Sequence, residues 1–190
     1  GGMLWNAGVT LGFLGILAGN ASGLEGLQMP GKVLPLLFFG FALVGLSLVQ
    51  TNNRRTDEEM SPAQWFLFAA TLWLPWVLGG SYLLIHFFHA KGVVANIVDW
   101  WFIQNFAKVY LTFVGLGTLF HFLSALSGRQ LVGRGYAQFA FWMLLLFGSV
   151  GGVSPGAPVP AWLPALSTVT AVFYFFGVIA AWVSLKRTIN

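Results

Sequence analysis

"IVDWWFIQNFAKVYLTF", residues 97–113, is apolar through most of its length and yet sets Asp99, Gln104, Asn105 and Lys108 within ten positions. It belongs to an apolar run of about 96–123. A helix of about 20 apolar residues crosses roughly 30 Å of hydrocarbon, so the fold turns on whether the rest of the chain is built for the same medium. Composition answers that. The 190 residues are 57% hydrophobic and 7% charged, with nine tryptophans, against roughly 25% charged in a soluble domain. So few charges cannot cover a water-soluble globule, whereas hydrocarbon demands no polar surface. The reading is an all-α integral membrane protein. Its net charge of +4 then reports topology and not a nucleic-acid partner. The absence of cysteine excludes disulfides, thiolate metal sites, iron–sulfur ligation and a cysteine nucleophile.

Six spans can be drawn, at about 3–19, 32–50, 63–87, 96–123, 134–153 and 162–185, in a single transmembrane domain covering 1–190. The linkers "GNASGLEGLQMPG", "TNNRRTDEEMSP", "HAKGVVAN", "SALSGRQLVGRG" and "GGVSPGAPVPAW" hold most of the Gly, Pro, Asn and charge. Ser61 and Pro62 open the third span as cap and first-turn residues do, Pro35 and Pro164 lie near other helix starts, and Pro75 is expected to kink its helix. The first span has no basic n-region and no clean small-residue cleavage pattern, so it reads as retained and not as a signal peptide. Arg54, Arg55, Arg129, Arg134, Lys186 and Arg187 fall on one side and only Lys32 and Lys91 on the other. The excess of Lys and Arg marks the cytoplasmic side, so both termini are expected there.

In that orientation the fourth span runs inward, and Trp100 and Trp101 stand at the outer interface, where indoles favour the headgroup level. Gln104 and Lys108 follow roughly 6 and 12 Å deeper at about 1.5 Å per residue, on one face because they are four apart. An ionisable group at such depth is a functional candidate by default. The alternative is that Lys108 snorkels or pairs with a carbonyl. Asn105, Asp99 and Glu25 join it as expected buried polar groups.

These residues also carry a resemblance. Paired tryptophans before a polar residue and Asn, then "VYLTF", a Gly-Arg loop, "QFAFWMLLLFGSVGG" and a "PVPAW" turn resemble the middle of the large subunit of heme-copper oxidases. The cbb-type cytochrome c oxidases and nitric oxide reductases are the most similar members. Upstream, "WNAGVTLGFLGILAGNASGLEGLQMPG" resembles the family's third helix and the loop ending Glu-x-x-x-Pro, although here Glu25 and Pro30 stand five apart. "SPAQWFLFAATLWLP" resembles the fifth helix. The likeness runs over nearly all 190 residues and implies that the six spans correspond to the family's helices three to eight.

The resemblance implies equally what is missing. The family has a copper- or iron-binding histidine at the position of Gln104 and a histidine pair where Ser154 and Pro155 stand, and its cross-linked tyrosine falls near Gly148. An amide, a hydroxyl and a proline do not replace imidazole donors. Three ligands lost together imply a chain without a metal centre, its hemes held by partner chains. Gln104 and Lys108 are then expected to fill and hydrogen-bond a vacated polar cavity, the ammonium replacing the lost metal charge, because unpaired polar groups are costly where water is absent.

His86 and His89, three apart at the outer end of the third span, have a spacing open to a metal or a heme edge, but no other ligand type lies beside them. An interfacial role is the simpler reading. His121, near the inner end of the fourth span, is a candidate proton-relay or quinone contact, with packing beside aromatics as the alternative. Gly8, Gly12, Gly15 and Gly19 form one stripe, read as close helix packing and not as a phosphate loop. Asn20-Ala21-Ser22 matches a glycosylation pattern that means little in a chain of bacterial character, and "NNRRTDEE" reads as a solvated loop.

The expected function is a metal-free structural or docking subunit of a respiratory electron-transfer complex in a bacterial or archaeal cytoplasmic membrane. Its expected partners are lipid, a heme-bearing oxidase-like subunit and a cytochrome c. Two alternatives remain open. One is an active oxidase or nitric oxide reductase fragment, which needs Glu25, His86 or His89 to reach the cavity. The other is a transporter using Lys108 and the amides as a polar pathway, weakened because mid-span charge is confined to one helix. A chain equivalent to helices three to eight alone is also expected to need partners for stability.

Overall fold

The computed structural model describes residues 1–54, 59–128 and 133–189, so Arg55 and Arg129 of the charge count lie outside the described residues. Among the described residues every regular element is helical. The helices are α1 (Gly2–Leu17), α2 (Leu34–Asn53), α3 (Pro62–Phe87), α4 (Val93–Ser127), α5 (Arg134–Ser149) and α6 (Trp162–Ile189). Of these, α2, α3, α4 and α6 are long and apolar enough to cross a membrane. The other two have 16 residues each, about 24 Å at 1.5 Å per residue, short of the roughly 20 residues of a full span.

Local chemistry accounts for the ends. At α3, Ser61 Oγ accepts from the Gln64 amide at 3.3 Å while the Gln64 side chain accepts from the Ser61 amide at 2.8 Å, a reciprocal capping box. Pro35 sits in the first turn of α2, and α4 stops at Gly128, whose φ of +62° is the left-handed conformation of a helix end. The fifth span was expected to reach 153 but α5 ends at Ser149. Val150 is extended and Gly151 and Gly152 take φ of +109° and +92°, so the apolar composition of "GSVGG" hides a helix stop. In the opposite sense α4 exceeds its expected 96–123, running 35 residues from Val93 to Ser127. Pro75 lies within α3, and the helix continues through it to Phe87.

The contacts divide into two compact units, Gly1–Thr56 with Thr71–Ile103 and Asp57–Ala70 with Gln104–Asn190. In the first, α1 packs on α2 through its glycine stripe. A Cβ on Gly8 would fall 2.8 Å from Leu37, and one on Gly12 2.8 Å from the Met29 sulfur, so only glycine allows this approach. Gly19 departs from the stripe: its φ is +82°, and a Cβ on it would meet nothing within 4 Å among the described residues. Leu27, Leu34, Leu37, Val77, Leu78 and Phe102 form the core.

In the second unit Phe66 is fully buried, with ring centroids of Phe113, Phe120 and Phe141 at 4.9, 5.4 and 5.3 Å, mostly in edge-on or tilted arrangements that suit aromatic quadrupoles. Helices α5 and α6 meet at small residues, Gly177 lying against Leu144 with Ala140 and Ala180 buried nearby. Large apolar side chains face outward in both units: Trp76 is 64% exposed, Phe175 60% and Trp182 65%. A surface of this kind suits a lipid bilayer and would be exceptional on a soluble monomer.

Candidate functional site

The polar residues of the opening stretch divide between the two units and meet different partners. In the first, Asp99 is 3% exposed. Its Oδ1 accepts from the Gly26 amide at 3.0 Å and the Leu27 amide at 3.1 Å, and Oδ2 lies 3.3 Å from the Gly26 amide. Successive backbone N–H groups thus form an anion-holding nest for the carboxylate. Ser22 secures the loop from its other side: its hydroxyl donates to the Leu27 carbonyl and accepts from the Leu24 amide at 3.2 Å. Gly26 is required, because a Cβ there would meet the Ile103 side chain and fall 3.1 Å from Asp99 Oδ1.

This arrangement overturns one expectation. Glu25 is exposed and not a buried polar group. Turning the amides of Gly26 and Leu27 toward Asp99 sends the preceding side chain outward, and a second carboxylate beside the first would be repelled.

In the second unit α4 widens into a π turn over Asn105–Leu111. Gln104 Nε2 donates to the Val150 carbonyl at 3.3 Å, and Asn105 Nδ2 donates to the Ser149 carbonyl at 3.1 Å. Both acceptors sit at the C-terminus of α5, where a helix leaves carbonyls without intrahelical donors. The two amides therefore close the end of a short helix. Gln104 is 8% exposed and Asn105 is fully buried.

Within the π turn, hydroxyls take up the loosened carbonyls. Tyr174 of α6 donates to the Lys108 carbonyl at 3.0 Å, and Thr112 Oγ1 lies 2.9 Å from the Tyr174 oxygen and 3.3 Å from the Ala107 carbonyl. Tyr174 has spent its one proton on Lys108, so the Thr112 proton is shared between its two acceptors. The Lys108 ammonium stands 5.7 Å from the Tyr174 ring centroid, a cation–π contact. It is half-buried and, among the described residues, makes no ion pair.

The positions that the resemblance assigns to metal ligands are thereby located. Gly148 is buried against the Tyr174 ring, where a Cβ would fall 3.1 Å from Cε2 and 3.1 Å from Val109. Gln104 and Lys108 were expected to fill and hydrogen-bond a polar space here; Gln104 bonds to the Val150 carbonyl, the Lys108 ammonium lies over the Tyr174 ring, and the space beside Gly148 is taken by that ring. Ser154 and Pro155 are exposed, and Ser154 Oγ donates to the Pro155 carbonyl at 3.4 Å. The positive φ of Gly151, Gly152 and Gly156 turns this loop outward.

The histidines are dispersed. His86 is exposed, its ring tilted against that of Tyr82 with centroids 4.9 Å apart, and it lies where a Cβ on Gly31 would fall. His89 was expected on the same helical face but lies past the end of α3 with φ of +53°, its Nδ1 2.9 Å from the Phe87 carbonyl. His121 is exposed beside Phe122 and lines a cavity of about 530 Å³ with Glu59, Ser61, Ser124 and Arg134. In that cavity Arg134 is ion-paired with Glu59, donates to the Met60 carbonyl at 3.3 Å and lies 5.1 Å from the Trp65 ring centroid. No group of three or more His, Cys, Asp or Glu side chains gathers among the described residues.

Reasoning from sequence missed Tyr174 and the loop amides. The signals available were a lone tyrosine in an otherwise Phe-rich span and the small residues that free the backbone of "GLEGL". No protein-family model and no curated protein sequence matches the chain.

Proposed function

We propose that the chain is a membrane-embedded subunit of heme-copper-oxidase-like build that carries no binuclear metal centre and serves as the structural or docking half of a respiratory electron-transfer complex. Partner chains hold the hemes and receive electrons from a cytochrome c. Six helices cross a bacterial or archaeal cytoplasmic membrane with both termini inside. The observation that carries the reading is the use made of Gln104 and Asn105. At the position where the resemblance calls for a metal-binding imidazole, side-chain amides close the C-terminus of α5 instead.

The same observation supports a crossing by α5 despite its 16 residues. A short helix ending at membrane depth must hand its last carbonyls to donors other than water, and α4 supplies them. Lys108, with its charge held over the Tyr174 face, adds polarity without a second charge to form a pathway.

A pyridine hemochrome spectrum with metal analysis, on the purified chain and on the complex it captures from its native membrane, tests the proposal. Heme in the complex and none in the chain is expected. Stoichiometric heme, copper or iron in the isolated chain would replace this reading with that of an active oxidase fragment, and heme in neither preparation would leave only transport.

A further inference from the structure

Between α5 and α6 a groove of about 740 Å³ opens on the surface of the second unit. Its walls are Tyr136, Phe139 and Met143 of α5 and Phe173, Phe176 and Ile179 of α6. Along α5 from Gly133 to Met143 it is about 15 Å long at 1.5 Å rise per residue, and its volume falls in the range of about 300–1,000 Å³ typical of ligand sites. The walls carry almost no polar atoms.

One end is different. Gly133 lies at the head of the groove, and a Cβ there would fall 3.8 Å from Arg187 Cδ. The Arg187 guanidinium lies 4.5 Å from the Tyr136 ring centroid, so a wall of the groove also holds the cation at its mouth. Ser184 donates to the Gly133 carbonyl at 3.4 Å and ties the two helices together at this point. Arg187 is exposed with Lys186 beside it, and neither makes an ion pair among the described residues, whereas Arg134 on α5 is neutralised by Glu59.

We infer that this groove binds an anionic phospholipid, an acyl chain lying along the aromatic walls and the phosphate on Arg187 with Lys186 beside it. The charge arrangement selects the occupant. A zwitterionic headgroup would bring its own cation against these two, and a second protein helix would leave both unpaired in its interface. A guanidinium presents a fork of N–H donors that matches phosphate oxygens, and basic sites between spans on the cytoplasmic side are suited to anionic headgroups. The inference needs the helices to lie in a bilayer and is independent of the oxidase-like reading.

The test uses the full chain reconstituted in nanodiscs of equimolar phosphatidylglycerol and phosphatidylcholine, followed by native mass spectrometry of the lipid retained on release. Wild type is expected to retain phosphatidylglycerol over phosphatidylcholine by about tenfold, equivalent to about 1.4 kcal/mol. The Lys186→Gln/Arg187→Gln double variant is expected to bring the ratio within about twofold. Ile179→Trp, which fills the groove from an exposed position, is expected to lower retention of both lipids. Arg54→Gln removes one cation of the same charge side elsewhere and is expected to keep the wild-type ratio.

Equal retention of the two lipids by wild type, or an equal loss in Arg54→Gln, would overturn the site while leaving the membrane reading intact. A chain that dimerises in the nanodiscs through α5 and α6 would put a second copy in the groove and overturn it too. Failure to enter nanodiscs of either lipid would overturn the site together with the membrane placement on which it rests.

Discussion

At the scale of single residues, the chain places its few polar groups where backbone is left unpaired. Asp99 answers two loop amides, Gln104 and Asn105 answer two helix-end carbonyls, and Tyr174 answers a carbonyl loosened by the π turn. A buried donor without its partner costs about 1–3 kcal/mol, and Asp99 satisfies two of them. Asp99→Ala is therefore expected to lower the unfolding free energy by about 2–6 kcal/mol, summed from those costs, in denaturant titration of the detergent-solubilised chain. Glu25→Gln, at an exposed carboxylate, is expected to change it by less than about 0.5 kcal/mol. Comparable losses for the two would mean that the loop is not held by Asp99.

That Asp99, Asn105 and Gln104 are buried was legible from their place in an apolar run. Their partners were not, because backbone N–H and C=O groups leave no mark in composition. Glu25 was misread for the same reason: nothing in "GLEGLQ" says that the amides, and not the carboxylate, turn inward.

At the scale of elements, apolar length and turn chemistry predicted the helices well where side chains decide their ends. Ser61 and Pro62 open α3 as expected, and Gln64, which the sequence reading did not name, completes the capping box. Ser61→Ala removes the acceptor for the Gln64 amide and is expected to cost about 1 kcal/mol, read as a lower midpoint in the same titration, while Ser61→Asp is expected to restore it. A midpoint unchanged in Ser61→Ala would show that α3 does not depend on its cap.

Hydropathy failed where backbone conformation decides. The glycines of "GSVGG" are counted as compatible with a span, yet two of them take positive φ and stop α5 four residues early relative to the expected 153. The π turns at Leu83–Phe87 of α3 and Asn105–Leu111 of α4 are equally silent, since an i→i+5 turn needs no composition different from an i→i+4 one.

At the scale of the whole molecule, the outward apolar faces and the four long helices suit a membrane, and the proposed six-span orientation, taken from the Lys and Arg pattern, can be tested. The chain has no cysteine, so single-cysteine variants report sidedness without background. Ser154→Cys, in the loop before α6, is expected to react with an impermeant maleimide on intact cells, and Ser127→Cys, at the end of α4, only after permeabilisation. The reverse pattern would invert the orientation, and reaction of both on intact cells would contradict the crossing of α5.

The central claim is the proposal that the positions which the oxidase-like reading assigns to a metal centre serve structure alone, and replacing Gln104 by histidine tests it most directly. A single imidazole cannot hold a divalent ion against water and chelator. Ser154 and Pro155 face outward, and Tyr174 fills the space beside Gly148. After chelator washing, Gln104→His is expected to contain copper and iron at background by elemental mass spectrometry. Stoichiometric copper or iron in that variant would mean that other residues already form most of a site, and would contradict the account.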